Sequence, residues 1–176
     1  MKDTLDYLYA LRNRGSSFGL ERMTAIASLL DNPQLSFPVI HVAGTNGKGS
    51  VCSMLDAVYR ENGYSVGLFS SPHLIELGER IRVNGIKLSS SEIEDLVDEL
   101  RPVAERMDSG KPGFHPTFFE FMTAMAFLKF RESGVDLAVV ETGLGGRLDS
   151  TNVVDPELSL ITTIAKDHCS ILGNEI

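Results

Sequence analysis

The chain has 176 residues, enough to bury one substantial core, and its net charge of −8 excludes an extended nucleic-acid surface while leaving room for a local anion pocket. Hydrophobic residues make up 43% and charged residues 23%, as expected of a soluble globular protein, and no run of about 18 apolar residues offers a membrane span. Cys52 and Cys169 lack metal-type spacing, and Lys2, Asp3 and Asp6 rule out a signal-peptide pattern, so free thiols and a cytoplasmic location are expected.

Leu5, Leu8, Tyr9 and Leu11 predict a short amphipathic helix over 4–14, broken by Gly15-Ser16-Ser17-Phe18-Gly19. Met23, Ile26, Ala27 and Leu30 continue as a second helix, which Asn32-Pro33 ends. Val39-Ile40-His41-Val42 reads as a strand running into a turn with glycines at Gly44, Gly47 and Gly49. A helix follows, opened by Ser50, with Val51, Leu55 and Val58 on one face and Gly63 as its stop. Residues 65–69 form a second buried strand, and strand, helix, strand implies a parallel pair.

Residues 81–83 and 86–88 flank Asn84-Gly85, a two-residue hairpin signal. Ser91 with Glu94 is expected to cap the next helix, whose apolar face is Ile93, Leu96, Val97, Leu100, Val103 and Met107, and Pro102 predicts a kink or break in it. Residues 117–131 are apolar nearly all round, as in a helix buried within a domain. Residues 136–141 and 158–164 read as two more strands. The fold class expected is α/β: a P-loop-containing, mainly parallel, doubly wound sheet with helices on both faces and a small β-hairpin.

Strand, glycine-rich turn, lysine and helix make the layout of a phosphate cradle. Backbone N–H groups and the helix N-terminus meet the oxygens, and Lys48 supplies charge for the outer phosphates. The pattern departs from G-x-x-x-x-G-K-[ST]: Val42 stands where the first glycine belongs, and Gly49 separates Lys48 from Ser50. The plain alternative is a Gly/Asn-rich turn joining any strand to any helix.

Four segments leave the carboxyl ends of strands, where ligands sit in an open parallel sheet: 44–50, 70–73, 141–152 and 165–173. If their strands are neighbours, Ser71, Glu141 and His168 converge near Lys48, and together they can hold one Mg2+. Singly, each has a duller reading: a turn serine, a solvated strand end, a loop histidine. Within 141–152, Gly143, Gly145 and Gly146 permit close approach to a ligand, and Asp149 and Asn152 offer oxygens. Arg147 can meet a phosphate or carboxylate, or simply pair with Asp149.

Five stretches resemble the N-terminal ATPase domain of the folylpolyglutamate synthase/dihydrofolate synthase family, within the larger Mur ligase group. They are Gly19-Leu20-Glu21-Arg22-Met23; His41 through Ser50; Ser70-Ser71-Pro72-His73-Leu74 with Glu79-Arg80-Ile81-Arg82; Glu141 through Asn152; and Asp167-His168 with Leu172-Gly173. The resemblance spans nearly the whole chain, and the departure from the standard cradle is the family's own form of it. It implies nucleotide binding by Gly44, Thr45, Asn46, Gly47, Lys48, Gly49 and Ser50, and Mg2+ held by Ser71, Glu141 and His168. It further implies catalytic roles for Lys48, Glu141 and His168, and a folate or pteroate site at Ser71, Pro72, His73, Arg80 and Arg82.

The implied reaction joins L-glutamate to dihydropteroate or to folyl (poly)glutamates through an acyl phosphate, with ATP as co-substrate and ADP as product. The expected partners are these small molecules, with neither nucleic acid nor membrane, and the full-length enzyme is expected to be a monomer. The resemblance makes residues 1–176 an incomplete N-terminal ATP-binding domain, with the C-terminal glutamate-ligase domain outside the chain, so the chain alone is expected not to ligate. Other classes stay open: a Mur-type ligase for cell-wall precursors, a P-loop regulatory domain, or a non-catalytic binding domain. Dihydrofolate synthesis and polyglutamate extension are not separated by these residues.

Overall fold

The structure is a computed structural model that describes residues 2–12 and 19–173. In chain order its elements are α1 (Lys2–Arg12), α2 (Glu21–Leu29), β1 (Val39–Ala43), α3 (Lys48–Glu61), β2 (Val66–Phe69), β3 (Ile81–Val83), β4 (Ile86–Lys87), α4 (Ser90–Gly110), α5 (Phe118–Glu132), β5 (Leu137–Glu141), β6 (Leu158–Ile161) and α6 (Cys169–Leu172). The predicted end of the first helix and most of the break after it, at 13–18, lie outside the described residues.

Six strands form one sheet in the order β4-β3-β2-β5-β1-β6. The four strands β2, β5, β1 and β6 are parallel, and β3 and β4 add an antiparallel hairpin at one edge. The strands β1 and β2 are parallel as expected, yet they do not touch, because β5 lies between them. Strand alternation sorts the apolar residues onto two faces. Ile40, Val42, Val66, Leu68, Leu137 and Val139 pack under α3, whereas Val39, Phe69, Ala138 and Val140 join the larger core built by α1, α2, α4 and α5. Helices therefore cover both faces, and α5, with eleven buried residues, is the central one.

Three local expectations change. The cap of α4 is Ser89 with Glu92, not Ser91 with Glu94: the Ser89 hydroxyl accepts from the Glu92 N–H, and the Glu92 carboxylate accepts from the Ser89 N–H at 2.8 Å. Both pairs fit the S-x-x-E pattern, and the register that buries Ile93 and Leu96 decides between them. Pro102 does not end α4, which runs on to Gly110. Pro102 and Asp98 are both exposed, so the Asp98 carbonyl that loses its helical partner faces water. Finally, β6 stops at Ile161 rather than 164, because 162–165 turn to grip the loop after β1. Among the described residues no helix is long and apolar enough to cross a membrane.

Candidate active site

All four parallel strands end on one edge of the sheet, and the order β2-β5-β1-β6 makes their trailing loops neighbours. The loop after β1 carries Gly44 at φ +135° and Gly47 at φ +85°. A Cβ on Gly44 would sit 2.0 Å from the Thr162 hydroxyl, so only glycine fits there. Gly47 caps α3 without any side-chain hydrogen bond, leaving the first amides of a 14-residue helix open to an anion. The Lys48 ammonium donates to the Gly44 carbonyl at 2.7 Å and the Thr45 carbonyl at 3.4 Å, so it sits over its own loop.

This loop is clamped from the β6 side, a feature the sequence reading missed. The Thr45 N–H donates to the Thr163 carbonyl, and the Thr45 hydroxyl bonds the Ala165 backbone at 3.0 Å. Thr162 donates to the Asn46 carbonyl at 2.8 Å. The Ile and Thr residues of 158–164 favour a strand, and the hydroxyls of Thr162 and Thr163 beside a glycine loop also serve as loop clamps.

Glu141 ends β5 at the middle of this edge, between the loops of β2 and β1. It is buried, at 4% exposure, which removes the solvated-strand-end reading. Its carboxylate accepts the Ser71 N–H at 3.1 Å, and it lies under Gly49, where an added Cβ would stand 3.6 Å from it. Burial raises its pKa, while the Ser71 N–H, Lys48 and Arg80 oppose that rise. Ser71, Glu141 and the first turn of α3 are thus brought together. His168, by contrast, stands exposed at the start of α6 in a left-handed conformation, with its N–H on its neighbour Asp167 at 2.8 Å. Among the described residues no group of three or more His, Cys, Asp or Glu is placed to hold a metal ion.

On the other side of Ser71 opens a cleft of about 450 Å3 lined by residues that include Arg12, Ser71, Pro72, Arg80, Phe118 and Phe119, with Gly143, Leu144 and Leu148 from the loop after β5. Two guanidinium groups converge on the Phe118 ring, Arg12 at 5.7 Å and Arg80 at 5.4 Å, and among the described residues neither is paired with a carboxylate. Burial and then Arg12 lower the Arg80 pKa. His73 does not line the cleft but supports it, its Nδ1 accepting from Arg80 Nε at 2.8 Å. Arg82 pairs with Leu68, whose side chain packs under α3, so it belongs to the opposite face of the sheet. Its Nε donates to the Glu79 carbonyl at 3.2 Å.

The all-round apolar pattern of 117–131 predicts plain core, yet the start of α5 supplies the aromatic wall of the cleft. Thr117 and Glu120 form a capping box there, and Arg22 grips Glu120 with two bonds of 3.0 Å. The signal available was Thr-x-x-Glu beside paired phenylalanines. In the loop after β5, Asp149 does not pair with Arg147. It is buried and accepts from the N–H groups of Gly143, Leu144 and Thr151 and from the Thr151 hydroxyl, while Arg147 is exposed. The Asn152 side chain is also used within the loop, donating to the Arg147 carbonyl at 3.0 Å.

Comparison with known proteins places this geometry. No family model matches the chain. It is 46% identical over 176 residues to the dihydrofolate synthase/folylpolyglutamate synthase of Bacillus subtilis, an alignment covering 99% of this chain and 41% of that protein. The folylpolyglutamate synthase of Thermotoga maritima superposes with a TM-score of 0.88 at 44% identity, over 94% of this chain and 39% of the other. The Mycobacterium tuberculosis folylpolyglutamate synthase complexed with ADP superposes with a TM-score of 0.91 at 38% identity, over 98% and 39%. The chain spans about two fifths of the length of the relatives it matches. In sequence along nearly its whole length, and in fold, it belongs to the dihydrofolate synthase/folylpolyglutamate synthase family.

Proposed function

We propose that this chain provides the nucleotide and acceptor sites of an ATP-dependent, ADP-forming ligase that adds L-glutamate to dihydropteroate or to folyl (poly)glutamates. The observation that carries the reading is Glu141, a buried carboxylate shared between the Ser71 N–H and the first turn of α3, standing between an anion-ready loop and an aromatic, guanidinium-lined cleft. That cleft suits a flat ring system with acidic groups. Residues 1–176 would form part of the ATP-binding domain, with the glutamate-ligase domain in the remaining length of such proteins. Two free cysteines suit a cytoplasmic setting, and burial pushes the Cys52 thiol up to about 12, so it is inert.

In this reading the open amides of α3 and of the loop receive the phosphates, and the Lys48 ammonium leaves the Gly44 carbonyl for the outer ones. An acceptor carboxylate in the cleft attacks the terminal phosphorus, giving an acyl phosphate and ADP. The glutamate amine then attacks the acyl carbon, forming the amide and releasing phosphate. The chain's contribution is to align the reactants and exclude water. The Glu141 carboxylate and the Ser71 hydroxyl are hard oxygen donors that suit Mg2+, with His168 joining only if 165–173 moves inward. Mg2+ bound there would offset negative charge on the transferring phosphoryl group.

Calorimetric titration of the chain with Mg-ATP, with and without dihydropteroate, tests this reading. Nucleotide affinity is expected to fall at least about tenfold in Lys48→Ala, the loss of one charge-assisted contact. Dihydropteroate is expected to bind the wild-type chain and to weaken with Arg80→Ala. Nucleotide binding indifferent to Lys48→Ala would overturn the cradle, and binding without any acceptor affinity would favour a regulatory nucleotide-binding domain.

A further inference from the structure

A second set of buried polar groups lies across the sheet face from Glu141. His41 sits in the middle of β1 between Ile40 and Val42, and alternation turns it away from α3. An apolar residue would suit a central strand better, and burying an imidazole without partners is costly. Its Nε2 lies 2.8 Å from the Thr151 hydroxyl, 110 residues further along the chain. Thr151 is fully buried and donates its single hydroxyl proton to Asp149 at 2.5 Å. The hydroxyl therefore accepts from His41, which places a proton on the histidine Nε2. Asp149 in turn accepts from the N–H groups of Gly143 at 2.9 Å and Leu144 at 2.8 Å, two residues that line the cleft. Gly143 packs directly against the Phe119 ring.

We propose that His41 and Thr151 are positioning residues: a hydrogen-bonded relay from His41 through Thr151 to Asp149 lets β1, the strand bearing the nucleotide loop, set the backbone of Gly143 and Leu144 and with it the wall of the acceptor cleft. All three members of the relay are nearly or fully buried, so water does not replace a lost link, and removing a middle member leaves the carboxylate short of a donor. Beyond Thr151 itself, the side-chain bonds of Asp149 go to two cleft-lining amides, those of Gly143 and Leu144, which separates the relay from general core packing. The link to substrate rests on the function proposed above; the relay itself does not.

Two readouts separate those claims. The first is hydrogen exchange of the Gly143 and Leu144 amides by NMR in the whole chain, comparing Thr151→Val, which keeps shape but loses the hydroxyl, with Thr151→Ser, which keeps it. Exchange is expected to rise about tenfold at those amides in Thr151→Val while sheet amides stay protected, and to return in Thr151→Ser. His41→Leu is expected to behave like Thr151→Val, and His41→Gln to recover part of the protection through its N–H donor. The second is calorimetry: Thr151→Val weakens dihydropteroate about tenfold and leaves nucleotide affinity within about twofold. Unchanged exchange at Gly143 and Leu144, or a rise spread evenly through the sheet, would overturn the relay. If the wild-type chain binds no dihydropteroate, the acceptor reading fails, and the exchange data still decide the relay.

Discussion

Glu141 is the residue at which stability and the proposed function pull in opposite directions. Burial raises its pKa, so between the ordinary carboxylate range and that raised value the folded chain holds more protons than the unfolded one. Its contribution is therefore favourable at low pH and is lost as pH rises through the raised value. Glu141→Gln, which keeps an acceptor for the Ser71 N–H, is expected to raise the thermal midpoint at pH 7 and to flatten its dependence on pH, as melts from pH 4 to 8 would show. The same variant is expected to lose any tightening of nucleotide binding by Mg2+. A lower midpoint at pH 7 would mean that burial is not what governs this carboxylate. The sequence placed Glu141 after a strand, but its burial depends on α3 and the Ser71 loop closing over it from distant parts of the chain.

Single caps and breaks show at the scale of elements how far local pattern goes. The register of α4 predicts that Ser89→Ala costs about 1 kcal/mol in urea unfolding, whereas Ser91→Ala stays within about 0.5 kcal/mol. The Glu92 carboxyl of the same cap is held down to about 2 by its hydrogen bond to Lys129 and then by Ser89. It adds stability above the ordinary carboxylate range, and that stability is lost as pH falls towards the lowered value. Pro102 is tolerated because its side of α4 is solvated, not because the helix needs it. Replacing a mid-helix proline recovers about 3 kcal/mol, and the more mobile unfolded chain takes back about 1, so Pro102→Ala is expected to stabilise by about 2 kcal/mol. Chemical denaturation of the variant checks this, and destabilisation would reveal a role for the ring that its exposure does not suggest.

Across the whole molecule the two edges of the sheet differ. At one, β4 closes a small hairpin; at the other, β6 presents Leu158 at 47% and Ile161 at 71% exposure on a parallel strand. Ile161 contributes little buried area, so Ile161→Lys is expected to leave stability within about 0.5 kcal/mol while reducing concentration-dependent association in sedimentation. The chain spans about two fifths of its relatives' length, and it is expected to bind nucleotide without forming the amide. Incorporation of labelled glutamate by the 176-residue chain would refute that. The sequence by itself determined the α/β class, the glycine loop with Lys48, the hairpin at Asn84-Gly85 and the family, because these rest on periodicity, turn chemistry and contiguous motifs. Only the tertiary structure decided that β5 separates β1 from β2, that the start of α5 walls a cleft, that Arg82 belongs to the other face, and that His41 reaches Thr151. Each of those depends on which distant segments pack together, and no local pattern carries that information.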